Sequence, residues 1–349
     1  SSPIEFLKIL GSTVGNAYLA LFQGAIYDPN LAEGKSFFAG FYPLSETMVS
    51  TAPLILCGLS VALAFKSGLF NIGAQGQFIF GAIGASYIGF KFEMPIAMHI
   101  LVATLAGVIL AALWGGIVGL LKAKTGAHEV IVTIMLNYIA AKFLLFILST
   151  KYFLRPGRLD PIAPPVKESA KLPALFGVDY RVNIGIFIAL AAAVFIWWLL
   201  NRSIIGFRFR AVGANSSAAR TAGISVSAAM IATMAISGAL AGMGGAIHTL
   251  GNQYELTDTV AASFGFDAIT VALLGRGTPI GVVLASFLFA GLRVGGQTMQ
   301  ANVGVPVEIV LVIQALVVLF IAAPDLVKRI FKVRNLQEAS AMASKGWNG

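Results

Sequence analysis

Apolar residues fall in ten runs, at 4–26, 45–65, 69–90, 96–121, 128–150, 183–200, 224–249, 264–274, 280–300 and 306–323. Short polar or glycine-bearing stretches separate most of them. A helix needs about 20 mostly apolar residues to cross roughly 30 Å of hydrocarbon. The eighth run is too short for that and reads as a broken or re-entrant element; the others meet or approach it. None alternates over about ten residues as a barrel strand would. The pattern predicts an all-α membrane protein of about ten transmembrane helices, one membrane domain spanning 1–349.

Composition supports this. The 349 residues include only 24 Lys and Arg and 15 Asp and Glu, 11% charged against 58% hydrophobic. Soluble domains carry roughly 25% charge, so an ordinary soluble enzyme is excluded. The 38 glycines and 13 prolines have no period, which excludes a collagen-like chain. Cys57 is the single cysteine, so no intramolecular disulfide or cysteine metal cluster can form. His99, His128 and His248 have no metal-ligand spacing.

The net charge of +9 does not imply nucleic acid, because the placement of the basic residues matters more than their sum. With the N-terminus inside, the inner turns carry Lys66, Lys122, Lys124, Arg202, Arg208, Arg210, Arg220 and Arg276, followed by Lys328, Arg329, Lys332 and Arg334. The short outer loops hold mostly acids: Asp28, Glu33, Glu93, Glu255 and Asp258. Trp197 and Trp198 fit an aromatic belt at the inner interface. Ser1 to Glu5 has no basic leader region, so the first run reads as a retained helix.

The segment 151–182 is rich in proline and charge and divides the runs five and five. It is either an extracytoplasmic cap or a plain tether. The tail 335–349 is polar and reads as frayed. Val61-Ala62-Leu63 before Lys66 loosely matches Val271-Ala272-Leu273 before Arg276, a short similarity of the kind that internal repeats leave in transporters.

Three clusters could carry function. Residues 68–78, GLFNIGAQGQF, put three amides and three glycines into an apolar run, which is costly in lipid unless the amides face protein or water. Phe70, Asn71, Gln75, Gln77 and Phe78 could therefore border a path for a small, polar, uncharged and flat molecule, or the amides could be glue between helices. Asn137, four residues beyond Thr133 and on the same face, is either a ligand group or an interhelical hydrogen-bonding one. Glu129 reads as a surface ion-pair or helix-start residue. Four further charges fall within runs, Lys142, Asp267, Arg293 and Glu308, and their signs balance. They are expected to form an ion network, as scaffold or outer gate, since intramembrane charges pair or line water. The same groups could serve a proton relay in an ion-coupled carrier.

The third cluster is the inner loop 201–223, NRSIIGFRFRAVGANSSAARTAG. Asn215 can cap a short helix to about Thr221 that Gly223 ends. Small residues on that helix, with Arg220 at its end, suit a peg for a soluble partner. No GxxxxGK[ST], H-E-x-x-H or G-x-S-x-G sequence occurs. If ATP drives this chain, the ATPase lies on another polypeptide.

The run Gly213-x-Asn215-x-x-Ala218-Ala219-Arg220-x-x-Gly223-Ile224 resembles the coupling segment of permease subunits of bacterial ABC importers in the ribose, branched-chain amino acid and nucleoside group. GLFNIGAQGQ (68–77), HEVIVTIMLNYIA (128–140) and ALLGRGTPIG (272–281) are similar to its nucleoside-uptake branch. The similarity covers about residues 45–325. It implies a type II-like ABC importer permease fold in the bacterial cytoplasmic membrane. The implied partners are a second homologous permease subunit, an ABC ATPase that holds the ATP and Mg, and an extracytoplasmic substrate-binding lipoprotein. This chain itself would bind no cofactor and catalyse no reaction. A permease for a simple sugar or other small solute, and an ion-coupled carrier, are the alternatives.

Overall fold

A computed structural model describes residues 3–177 and 180–322. The tail 335–349 and the basic residues from Lys328 to Arg334 lie outside the described residues. All ten apolar runs contain a helix. The α-helices of six or more residues are α1 Pro3–Ala25, α2 Tyr42–Lys66, α3 Ala74–Lys91, α4 Ile96–Thr125, α5 Glu129–Leu148, α6 Gly185–Arg202, α7 Ile204–Ala214, α8 Ser216–Thr221, α9 Val226–His248, α10 Phe264–Leu274, α11 Pro279–Val303 and α12 Glu308–Ala322. Among the described residues there is no strand, only isolated bridges at Ile162–Thr257 and Ala174–Asn183. Among the described residues, six helical stretches are long and apolar enough to cross a membrane: Phe37–Lys66, Ile96–Thr125, Glu129–Leu148, Gly185–Arg202, Val226–Gln253 and Pro279–Val303. The chain divides into two units, Ser1–Val307 and Glu308–Gly349. The described part of the second is the single apolar helix α12.

Within the first unit, burial follows side-chain size. Helix α2 is buried on every side from Thr51 to Ala64, as a helix that is apolar all round must be. Helix α4 buries only His99, Ala103, Gly107, Ala111, Gly115 and Gly119, with Val118 beside them. That spacing of four draws one stripe of small residues along the helix, while Leu101, Leu105, Ile109 and Leu113 face outward. The stripe meets Gly238 and Gly242 of α9 at backbone distance: a Cβ on Gly115 would reach Gly238 Cα at 3.0 Å. Lipid tails are as apolar as leucine, so such close packing, rather than apolar burial, is what holds helices together in a bilayer.

Two ends of the bundle differ in chemistry. At one end lie Lys66, the Lys122–Glu129 ion pair (2.9 Å), α7, α8 and the α10–α11 turn with Arg276; this is the basic end. The opposite end carries residues 151–177 and 180–184, which are stitched down rather than loose. Ala163 N–H donates to Leu256 O, Lys167 N–H to Gly89 O and Leu172 N–H to Leu250 O. His99 Nδ1 lies 2.8 Å from Ser169 Oγ, and buried Asn183 donates to Gly251 O at 2.7 Å. The segment read as cap or tether is thus hydrogen-bonded to the bundle at Ala163, Lys167, Leu172 and Asn183.

Candidate functional site

Helix α3 starts five residues later than the apolar pattern suggests. After Lys66 the chain turns through Gly68 (φ +71°) and runs without helix until Ala74. Gly73 precedes the helix and has no side chain with which to cap it, so the free N–H groups of the first turn need partners from elsewhere. Asn137 of α5 supplies one: its Oδ1 accepts from Gly76 N–H (2.8 Å) and its Nδ2 donates to Ile72 O (2.9 Å). Asn71 accepts from Gly73 N–H (2.9 Å) and donates to Gln77 Oε1 (3.0 Å) and Ser60 Oγ (3.2 Å). Asn137 stands eight residues into α5, about 12 Å from that helix's start at the basic end, so this junction lies well inside the bundle.

A second interrupted helix meets the first there. Helix α10 begins at Phe264 after a stretch in which Ala262 has φ +38°. Gln75 bridges the two: its Oε1 accepts from Gly265 N–H (2.9 Å) and its Nε2 donates to Ala262 O (2.8 Å). From Phe264 to Leu274 is about 15 Å of helix. Two helix N-termini therefore come together near mid-bundle, both tied by neutral amides.

The structure thus brings Asn71, Gln75, Gln77 and Asn137 together around these breaks. Asn71 and Gln77 are fully buried and Asn137 nearly so; Phe78 is buried and stacks on Phe264 (centroids 5.5 Å). Gln75 keeps partial exposure and Phe70 is exposed against Phe65. Of the four expected intramembrane charges, Asp267 and Arg293 pair at 3.6 Å. Ser263 Oγ donates to Asp267 Oδ2 (2.7 Å), and Arg293 lies over the Phe264 ring (4.8 Å). Lys142 is exposed and makes no ion pair among the described residues, and Glu308 begins α12 in the separate unit. Of the three network residues in the first unit, Asp267 and Arg293 form the ion pair seen among the described residues. Sequence reasoning passed over Ser263 and Phe264 and weighed His248 only as a metal ligand; its ring packs on Phe264 at 4.8 Å. The spacing of Ser263 and Asp267, one turn apart at a helix start, was the one local signal.

At the basic end, Asn215 closes one helix and opens the next. Its backbone is extended (φ −161°, ψ 105°) and its Oδ1 accepts from Ala218 N–H at 3.0 Å. Gly223 (φ +80°) ends α8: its N–H donates to Arg220 O and Ile224 N–H to Ala219 O, both at 3.0 Å. Those two bonds form a Schellman motif, which requires the left-handed backbone that glycine takes without strain. Apart from Ala219, α8 is exposed. The segment 201–223 is not all loop, however. Ser203 caps an additional helix, α7, by accepting from Gly206 N–H at 2.9 Å. Gly213, at its end, packs so closely on the Lys66–Gly68 turn that a Cβ there would collide with Ser67 C at 2.8 Å.

Among the described residues outside the membrane-spanning segments, two carboxyls at the opposite end are displaced, Glu93 in the α3–α4 turn and Asp160 in the cap. The Lys167 ammonium beside Glu93 holds that carboxyl below its ordinary range, and Arg158 does the same to Asp160.

The sequence profile of the branched-chain amino acid transport system permease component matches residues 44–322. The guanosine ABC transporter permease protein NupP of Bacillus subtilis is 40% identical over 325 residues, 91% of this chain and 88% of its own. The nucleoside ABC transporter permease protein NupB of Lactococcus lactis is 35% identical over 87% of this chain and 85% of its own. The glucose ABC transporter permease protein TsgB13 of Haloferax volcanii is 34% identical over 86% of this chain and 82% of its own. No solved structure matches the chain.

Proposed function

The chain belongs to the branched-chain amino acid transport system permease family, a multi-pass protein of the cytoplasmic membrane, and from that premise we propose that it is the membrane-spanning subunit of an ATP-driven importer of nucleosides. The observation that carries this reading is the similarity, over nine-tenths of the chain, to a guanosine permease, together with that to a nucleoside permease. The complete subunit has about ten crossings in a type II-like arrangement, and the basic end faces the cytoplasm. It works beside a second homologous permease, an ABC ATPase and an extracytoplasmic substrate-binding lipoprotein. ATP and Mg belong to the ATPase, and this chain has no catalysis of its own.

The route passes the two interrupted helix starts. Phe70 and Gln75, which keep exposed surface, border it; Asn71, Gln77, Asn137 and Phe78 hold the breaks in place behind them. Half-helix N-termini near mid-membrane suit ligand groups that accept hydrogen bonds. Neutral amides already tie these two, and the adjacent Asp267 is paired with Arg293. An uncharged substrate fits such a lining better than an anion. Helix α8, with Gly213, Asn215, Ala218, Ala219, Arg220 and Gly223 shaping and presenting it, is the contact for the ATPase. Nucleotide binding there shifts the population between outward- and inward-open states by favouring one of them.

Similarity to a glucose permease supports a second reading, in which the solute is a sugar. Proteoliposomes holding this chain with its ATPase, second permease and binding protein discriminate the two. Uptake of labelled guanosine that requires ATP and ignores uncouplers supports the nucleoside importer. ATP-driven uptake of glucose without guanosine supports the sugar reading, and uptake by this chain alone on a proton gradient overturns both.

A further inference from the structure

Two openings at the basic end share a wall. Between α6 and α11 runs a groove of about 310 Å3 lined by Leu190, Val194, Trp197, Ile280 and Val283, with no charged or amide side chain in it. Leu190 and Trp197 are seven residues apart on α6, so the groove follows the helix for about 10 Å. At its basic end, Trp197 and Ile280 also line a second cavity of about 450 Å3, whose other walls include Lys66, Asn201, Arg210 and Thr278. No carboxylate lines that cavity. Arg210 Nη1 is buried without a hydrogen-bond partner. Lys66 makes no ion pair among the described residues.

A buried guanidinium donor with no acceptor costs free energy, and a guanidinium fork matches the oxygens of a phosphate two at a time. We infer that this composite site binds an anionic phospholipid of the leaflet at the basic end, with its phosphate between Lys66 and Arg210 and one acyl chain along the groove. Charge selects the phosphate. Continuity with an apolar slot selects a lipid over free phosphate or an acidic side chain of a partner, neither of which has a use for the slot. Trp197, at the junction, stands where an interfacial tryptophan meets headgroup and chain. The bound headgroup would join the α2–α3 turn, which Gly213 contacts, to the α10–α11 turn. It would thereby brace the support of α8.

The test uses the full chain in phosphatidylcholine nanodiscs carrying either spin-labelled phosphatidylglycerol or spin-labelled phosphatidylcholine, with the motionally restricted fraction read by electron paramagnetic resonance. Wild type should retain phosphatidylglycerol at least about fivefold over phosphatidylcholine, since each cation near the surface contributes roughly that factor. Arg210→Gln with Lys66→Gln should bring the ratio to near one, and Arg210→Lys should keep most of it. Val283→Trp, which fills the slot and leaves both cations, should lower retention of phosphatidylglycerol. Equal retention of the two lipids by wild type, or a preference that survives the double substitution, would overturn the proposal. Three other results would also overturn it: displacement by inorganic phosphate with Val283→Trp neutral, which assigns the site to a free anion; displacement by the ATPase subunit, which assigns it to that partner; and loss of preference in Arg210→Lys as complete as in the double variant.

Discussion

The cap at 151–184 and the paired helices α7–α8 are both connections between crossings, and they are held in opposite ways. The cap gives its hydrogen bonds to the bundle: to Gly89, Leu250, Gly251, Leu256 and Ser45, residues far away in sequence. Helix α8 satisfies its own ends through Asn215 and the Gly223 turn and leaves its face exposed. A segment closed onto its own fold has spent its polar groups. A segment that caps itself can be rigid while its side chains remain available to something else. The difference ties the cap to stability and leaves the face of α8 open to the partner proposed for it.

Four substitutions press on that contrast, from the largest expected effect to the smallest. Arg220→Glu should lower ATP-driven uptake by roughly tenfold or more, a coupling loss of about 1.4 kcal/mol, with membrane insertion and melting temperature unchanged; normal uptake would remove α8 from the coupling account. Asn183→Ala removes a bond to Gly251 O and the acceptor of Gly185 N–H. Leaving those buried groups unpaired should cost about 1–3 kcal/mol, seen as a lower melting temperature, with uptake reduced only in proportion to folded protein. Uptake abolished at unchanged melting temperature would instead give the cap a transport role. Asn215→Ala should cost α8 about 1 kcal/mol of local stability and weaken ATPase binding severalfold in a pull-down titration, while the global melting temperature stays put.

The smallest effect concerns pH. Glu93 and Asp160 have carboxyls held below their ordinary range, so any stability they contribute is present above that range and is lost as the pH falls through their lowered values. Glu93 is exposed and Asp160 half-exposed, and pairs so open to solvent contribute little. Glu93→Gln should leave the melting temperature unchanged at neutral pH, whereas a large drop would mean the cap depends on surface charge.

How much of this was legible follows from where each partner sits. Asn215 and Gly223 could be read because capping rules act within four residues. Helix α7 is not legible in the loop 201–223, since its arginines and short length read as loop; its Ser203 cap emerges only in the structure. The start of α3 was placed at 69 because apolar content says nothing of where a helix is interrupted, and the amide that caps it, Asn137, is 61 residues from Gly76. Gln75 could be singled out as unusual, but its partners at Ala262 and Gly265 lie beyond any local pattern. Charge balance suggested four interacting residues. Within the first unit, Asp267 and Arg293 meet and Lys142 makes no ion pair among the described residues, because sign says nothing about which helix faces which.

The central claim, that α8 is the cytoplasmic contact for a separate ATPase, is tested most directly with a cysteine at exposed Ser217, against a background in which the native Cys57 is buried. Ser217→Cys should react with an impermeant maleimide in inside-out vesicles but not in right-side-out ones, and should cross-link to the ATPase subunit. Labelling from the outside only, or cross-linking to no energising subunit in an actively transporting complex, would contradict the account.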